Sequence, residues 1–102
     1  MISLKVEESD NQTVVFISGM IDSTTADEFA ELMQEVLNTN PKILILDFTK
    51  IDYISSAGFR VMFMIAKEMK SYGGKPIAQG LAPEIKNLFD MVHLDHVMDI
   101  ES

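Results

Sequence analysis

Two hydroxyls, Ser55 and Ser56, stand side by side in Asp52-Tyr53-Ile54-Ser55-Ser56-Ala57-Gly58-Phe59-Arg60, where a loop after an apolar run enters a helical pattern. A helix N-terminus leaves about four backbone amides unpaired and carries roughly half a positive charge, so an anion is tolerated there. A phosphate on Ser56 suits that position. The alternative is that Ser55 or Ser56 simply caps the helix, a role worth about 1 kcal/mol. A nucleophilic serine is a third possibility, but Gly-x-Ser-x-Gly is absent and the two histidines, His93 and His96, lie near the far end of the chain. Those histidines, with Asp95 between them, could share one helical face as metal ligands, yet the spacing shows no third convergent ligand. Asp47 and Asp52 read as ordinary turn carboxylates rather than a magnesium site. No metal and no cofactor is expected.

The elements that must position the serines follow from periodicity. Ile2 to Glu7 alternates weakly, Asp10-Asn11-Gln12 marks a turn, and Thr13 to Ser18 is β-branched and aromatic up to Gly19, which predicts a β-hairpin. From Thr24 the period becomes helical, with Ala26, Phe29, Ala30, Met33, Val36 and Leu37 on one face and Asp27, Glu28, Glu31 and Glu35 between them. Thr25 and Glu28 match a capping box, and Pro41 ends the helix near Asn38. Lys42 to Phe48 is a continuous apolar run that predicts a central strand covered on both faces. A second helix is expected from Phe59 to about Ser71, closed by Gly73-Gly74. A strand over Lys75 to Gln79, a short helix from Pro83 through Phe89 and a last strand within Leu94 to Ile100 complete the order β-β-α-β-α-β-α-β. Strands alternating with helices imply an α/β fold with a mixed sheet.

The 102 residues form one domain spanning 1–102, since no linker, repeat or low-complexity tract divides them. Eight Lys plus Arg against 16 Asp plus Glu give a net charge of −8, which removes the usual electrostatic drive for binding nucleic acid or a membrane surface. A basic or mixed protein surface is the expected partner. No cysteine is present, so disulfides and thiolate metal sites are excluded. Neither a secretory leader nor an apolar stretch near the roughly 20 residues of a membrane span is found, and a cytoplasmic location is expected. Most of the eight methionines, including Met62, Met64 and Met69, read as core filler, with a hydrophobic binding patch as the other reading.

The serine turn Tyr53 to Phe59, together with Gly19-Met20-Ile21-Asp22, resembles the STAS domain family, and within it the anti-sigma factor antagonists. Ile43 to Asp47, Gly73-Gly74-Lys75, Ile85 to Met91 and His93-Leu94 extend the resemblance over nearly the whole chain. It implies a single STAS-type domain, a mixed four- to five-stranded sheet with helices on one face, and a binding role in transcription regulation rather than catalysis. In that scheme the antagonist binds an anti-sigma factor that is also a serine kinase, freeing the sigma factor. Phosphorylation of the serine at the helix start, Ser56 here, ends the interaction until a PP2C-type phosphatase removes the phosphate. The resemblance places Asp22, Ser23, Thr24, Ser55, Ser56, Ala57, Gly58 and Arg60 at the partner surface. Asp22 has a second reading as a cap of the first helix, shared with Thr24 and Thr25.

Three departures from the family pattern stand out. Ser55 replaces a frequent aspartate, Arg60 a frequent glycine, and the chain stops at Ser102 where many relatives continue into a helix. A less covered sheet edge or face would favour a partner or a weak dimer over a strict monomer. A non-switching STAS scaffold and a small serine hydrolase are the competing functions.

Overall fold

A computed structural model describes residues 2–101. β1 (Ile2–Glu8) and β2 (Thr13–Gly19) form the expected hairpin, paired antiparallel from Ile2 opposite Gly19 to Glu8 opposite Thr13. The chain then alternates: α1 (Ala26–Leu37), β3 (Ile43–Lys50), α2 (Ser56–Ser71), β4 (Lys75–Gln79), α3 (Pro83–Met91), a 3-10 turn (Leu94–His96) and β5 (Asp99–Glu101). The sheet runs in the order β1-β2-β3-β4-β5, with every pair after the hairpin parallel. Each parallel step needs a crossover, and α1, α2 and α3 supply them.

Side chains alternate across each strand, and the helices cover one face of the sheet. On that face Val15 and Ile17 of β2, Leu44, Leu46 and Phe48 of β3 and Ala78 of β4 meet Phe29, Met33 and Leu37 of α1 and Met62, Ile65 and Met69 of α2 in one buried core. Each fully buried side chain of this size contributes about 1.5–3 kcal/mol. The apolar run of β3 is nevertheless covered on one face only: Ile43, Ile45 and Asp47 point to the opposite face and are only half-buried, so β3 is central but not covered on both sides. Ile77 and the exposed Phe16 flank them there, and this apolar company accounts for Ile43 and Ile45 on the open face, where only Asp47 is polar. Met33, Met62, Met69 and Met98 are core residues, whereas Met20 and Met91 are exposed.

Phe89 of α3 contacts Phe48 at the end of β3 and Phe59 at the start of α2, both edge-on, at centroid distances of 5.5 and 5.4 Å. This aromatic trio anchors the N-terminal turn of α2 to the sheet. At the other end of α2, Gly73 adopts φ +79° and its amide reaches Lys70, while the Gly74 amide reaches Met69 at 2.8 Å, the glycine stop that Gly73-Gly74 predicts.

Three local expectations change. Thr25 makes no capping bond at α1, because its hydroxyl is spent on the Met20 carbonyl at 2.7 Å and the Asp22 amide at 3.0 Å. The second helix starts at Ser56, three residues before Phe59, since Ser55 is already in extended conformation with its side chain turned back as a cap. The last strand shrinks to Asp99–Glu101: His93 takes a left-handed φ of 62°, and Leu94–His96 winds into a 3-10 turn, so Leu94 to Met98 lies outside the strand.

Candidate functional site

Two loops at the carboxyl ends of β2 and β3 are zipped together beside the start of α2. Ile21 and Ile54 form an isolated parallel bridge: the Ile21 amide donates to the Tyr53 carbonyl at 3.3 Å, and the Ser55 amide donates to the Ile21 carbonyl at 2.8 Å. Both isoleucines are buried. Their sequence neighbours alternate outward, which puts Met20 and Asp22 on one loop and Tyr53 and Ser55 on the other at the surface side. Asp22, Ser55 and the entry to α2 thus belong to one surface, and Gly58 is the reason they can. A β-carbon at Gly58 would lie 2.6 Å from Ile21 Cγ2 and 2.8 Å from Ile54 Cγ2, so only glycine lets the helix sit this close. Gly58 is buried and supports the surface from beneath; Ala57 is half-buried.

The two serines take different jobs. Ser55 is the N-cap, its hydroxyl accepting from the Gly58 amide at 3.4 Å. Ser56 is the first residue of α2 and is exposed, with no side-chain hydrogen bond among the described residues. Arg60 is also exposed, four positions later, and enters no ion pair among the described residues. Residues four apart on a helix share a face, and a helical side chain leans toward the N-terminus, so the Arg60 guanidinium has reach to the Ser56 position.

Asp22 caps the entry to α1. Its Oδ1 accepts from the Thr24 amide at 2.9 Å, the Thr24 hydroxyl at 2.6 Å and the Thr25 amide at 3.1 Å, and its carbonyl accepts from the Ala26 amide at 2.9 Å. The Thr24 hydroxyl, then the Thr24 and Thr25 amides, hold this carboxyl below its ordinary value of 3.8. Oδ2 makes no hydrogen bond among the described residues, so capping occupies one oxygen only. Ser23 and Thr24 are exposed beside it.

Other carboxylates lie elsewhere. Burial pushes Asp47 up, but hydrogen bonds from Thr49 and from Gln79 outweigh it and leave the carboxyl below the ordinary range. It belongs to the open face of the sheet, and Asp52 is exposed in the loop before Tyr53. His96 lines a groove with Phe63, Lys67 and Lys70, about 16 Å along α2 from Ser56.

The family model described as the STAS domain matches residues 3–102. The chain belongs to the STAS domain family. Relatives of this STAS domain include an anti-sigma-B factor antagonist of Listeria monocytogenes serovar 1/2a, 24% identical over 102 residues, covering 99% of this chain and 90% of the relative. Among solved structures, an anti-sigma factor antagonist from Mycobacterium paratuberculosis superposes with a TM-score of 0.87 at 22% identity, over 98% of this chain and 85% of that one. SpoIIAA, a Bacillus cell fate determinant solved in its phosphorylated form, superposes with a TM-score of 0.73 at 15% identity, over 98% and 92%. These likenesses establish the fold of the STAS domain, including the single mixed sheet with helices on one face.

Two exposed apolar residues of this STAS surface were not singled out from the sequence, Met20 and Tyr53, exposed by 48% and 46%. The signal was present: each directly precedes an isoleucine, and an inward Ile21 and Ile54 turn their neighbours outward. No helix among the described residues is long and apolar enough to cross a membrane.

Proposed function

We propose that this STAS domain is an anti-sigma factor antagonist: it binds an anti-sigma factor that is also a serine kinase, and phosphorylation of Ser56 ends the binding. One observation carries the reading. Ser55 serves the helix as its cap and leaves the Ser56 hydroxyl exposed and uncommitted at the first position of α2. The family and the names of its relatives support the class of partner. In the kinase complex the Ser56 oxygen attacks the terminal phosphorus of ATP, the bond to the ADP oxygen breaks, and the hydroxyl proton passes to a base on the kinase. A PP2C-type phosphatase returns the serine by hydrolysis. This chain supplies the acceptor and the docking surface, and catalysis belongs to its partners.

The docking surface comprises Asp22, Ser23 and Thr24 on one loop, Met20 and Tyr53 as apolar contacts, and Ser55, Ser56 and Arg60 at the helix start. Phosphorylation adds about −1.5 to −2 charges and three acceptor oxygens in the middle of that surface. The start of α2 tolerates the charge, so the domain stays folded, while the interface must desolvate or oppose a dianion. A loss of about 3 kcal/mol already weakens binding more than a hundredfold. Exposed Asp27, Glu28, Glu31 and Glu35 on α1 suit a partner with a basic surface. A cytoplasmic location and a monomer or weak dimer accompany this reading.

Affinity for the cognate anti-sigma factor, measured by calorimetry for wild type, Ser56→Ala and Ser56→Asp, tests it. Wild type and Ser56→Ala should bind alike and Ser56→Asp should bind far more weakly. Equal binding by all three would instead favour the non-switching scaffold.

A further inference from the structure

We propose that His93, Asp95 and His96 form a binding site for one divalent transition-metal ion of the zinc class, with water completing its coordination. In sequence the two histidines lack a third convergent ligand. The fold supplies it in the residue between them. One ligand atom from each of His93, Asp95 and His96 lies within 4.8 Å of the other two, and the imidazole centroids are 5.2 Å apart at a tilt of 33°.

The backbone explains the convergence. α3 ends at Met91, Val92 is its C-cap, and His93 follows with φ 62°, in the left-handed position where a helix stop ordinarily takes glycine. A histidine there keeps an imidazole where a cheaper glycine would end the helix equally well. Leu94–His96 then form a 3-10 turn, and the His96 amide bonds the His93 carbonyl at 3.1 Å. The turn thus brings the two imidazoles beside each other on one side, with their centroids 5.2 Å apart. Leu94 alone of the turn is buried and pins it to the core, leaving the three donor side chains outside.

None of the three side chains makes a hydrogen bond or an ion pair among the described residues, so no existing partner has to be displaced. Two neutral imidazole nitrogens and one carboxylate oxygen suit zinc and its neighbours better than magnesium or calcium, which prefer oxygen-only shells. Ligand atoms around a tetrahedral zinc stand about 3.3 Å apart, and these exposed side chains can rotate through the remaining distance. Asp90, three positions before His93, is exposed on the neighbouring turn, and the net charge of −8 favours a cation. Lys67, Lys70 and Lys75 line the groove that Asp95 and His96 share, with Lys75 tied to Asp99 at 3.2 Å. They oppose the ion from one side, which places it on the outer side of the turn, toward His93.

Titration of the tag-free chain with Zn2+ by calorimetry, with nitrogen-15 amide shifts recorded in parallel, tests the site. One ion per chain should bind, with shifts centred on residues 92–97. His93→Asn, which keeps a residue tolerant of the left-handed conformation, and His96→Ala should each weaken binding by about tenfold or more. Unchanged melting of both variants without metal establishes that they fold. Absence of saturable binding, binding that survives both variants, or an equal response to Mg2+ would overturn the proposal.

Discussion

Ile21 and Gly58 approach so closely that a β-carbon on residue 58 would stand 2.6 Å from Ile21 Cγ2. This contact presses the first turn of α2 onto the bridge between Ile21 and Ile54 and so brings Asp22 and Ser56 to one surface. Gly58→Ala should therefore be destabilising although alanine is the better helix former. Overpacking costs about 1–3 kcal/mol and the helix gains about 1 kcal/mol back. The net loss, up to about 2 kcal/mol by urea denaturation, should be accompanied by a larger loss of affinity for the anti-sigma factor, because the surface is forced apart.

The two serines should separate cleanly by mutation. Ser55→Ala removes the cap, and with a bond as long as 3.4 Å the cost should be near the low end, about 0.5–1 kcal/mol. Ser56→Ala should leave the denaturation midpoint within about 0.5 kcal/mol of wild type. Urea melts of both variants check this; a Ser56→Ala loss equal to that of Ser55→Ala would show that Ser56 also serves the helix.

Asp22 should make the entry to α1 acid-sensitive. Its carboxyl is held below its ordinary 3.8 by Thr24 and Thr25, so its contribution is fully present above pH 3.8 and is lost as pH falls through the folded-state value. Asp22→Asn keeps the cap without the charge and should flatten this arm of a melting-temperature profile taken between about pH 5 and pH 2. Asp22→Ala should be less stable at neutral pH as well, and should lose more in kinase binding than in stability.

Arg60 should interact with a phosphate on Ser56 one turn away. In a chain carrying phosphoserine at position 56, Arg60→Ala should lower stability by about 0.3–0.5 kcal/mol, and in the unmodified chain by nothing measurable. Thermal melts of the four forms at low salt read the difference directly.

Much of this surface could be read in the residues. The β-to-α order, the Gly73-Gly74 stop and the hydroxyl pair at the start of α2 all rest on local chemistry that tertiary packing left in place. Where several local solutions compete, the residues alone did not decide. Thr25 and Glu28 satisfy a capping-box pattern, yet Asp22 Oδ1 accepts from the Thr25 amide that Glu28 would have served, and the Asp22 amide donates to the Thr25 hydroxyl. Ser55 and Ser56 are equally good caps until the helix start is known to one residue. The run from Ile43 to Leu46 conceals its own alternation because the open face is apolar too. Gly58 shows its purpose only once Ile21 and Ile54, far apart in the chain, are neighbours.

Incubation of the purified chain with its anti-sigma factor and Mg-ATP, followed by peptide mass spectrometry, tests the central claim most directly. The expected result is one phosphate on Ser56, absent in Ser56→Ala and accompanied by dissociation of the complex. Tight binding with no transfer, or a phosphate on another residue, would contradict it and return Ser56 to a structural place at the start of α2.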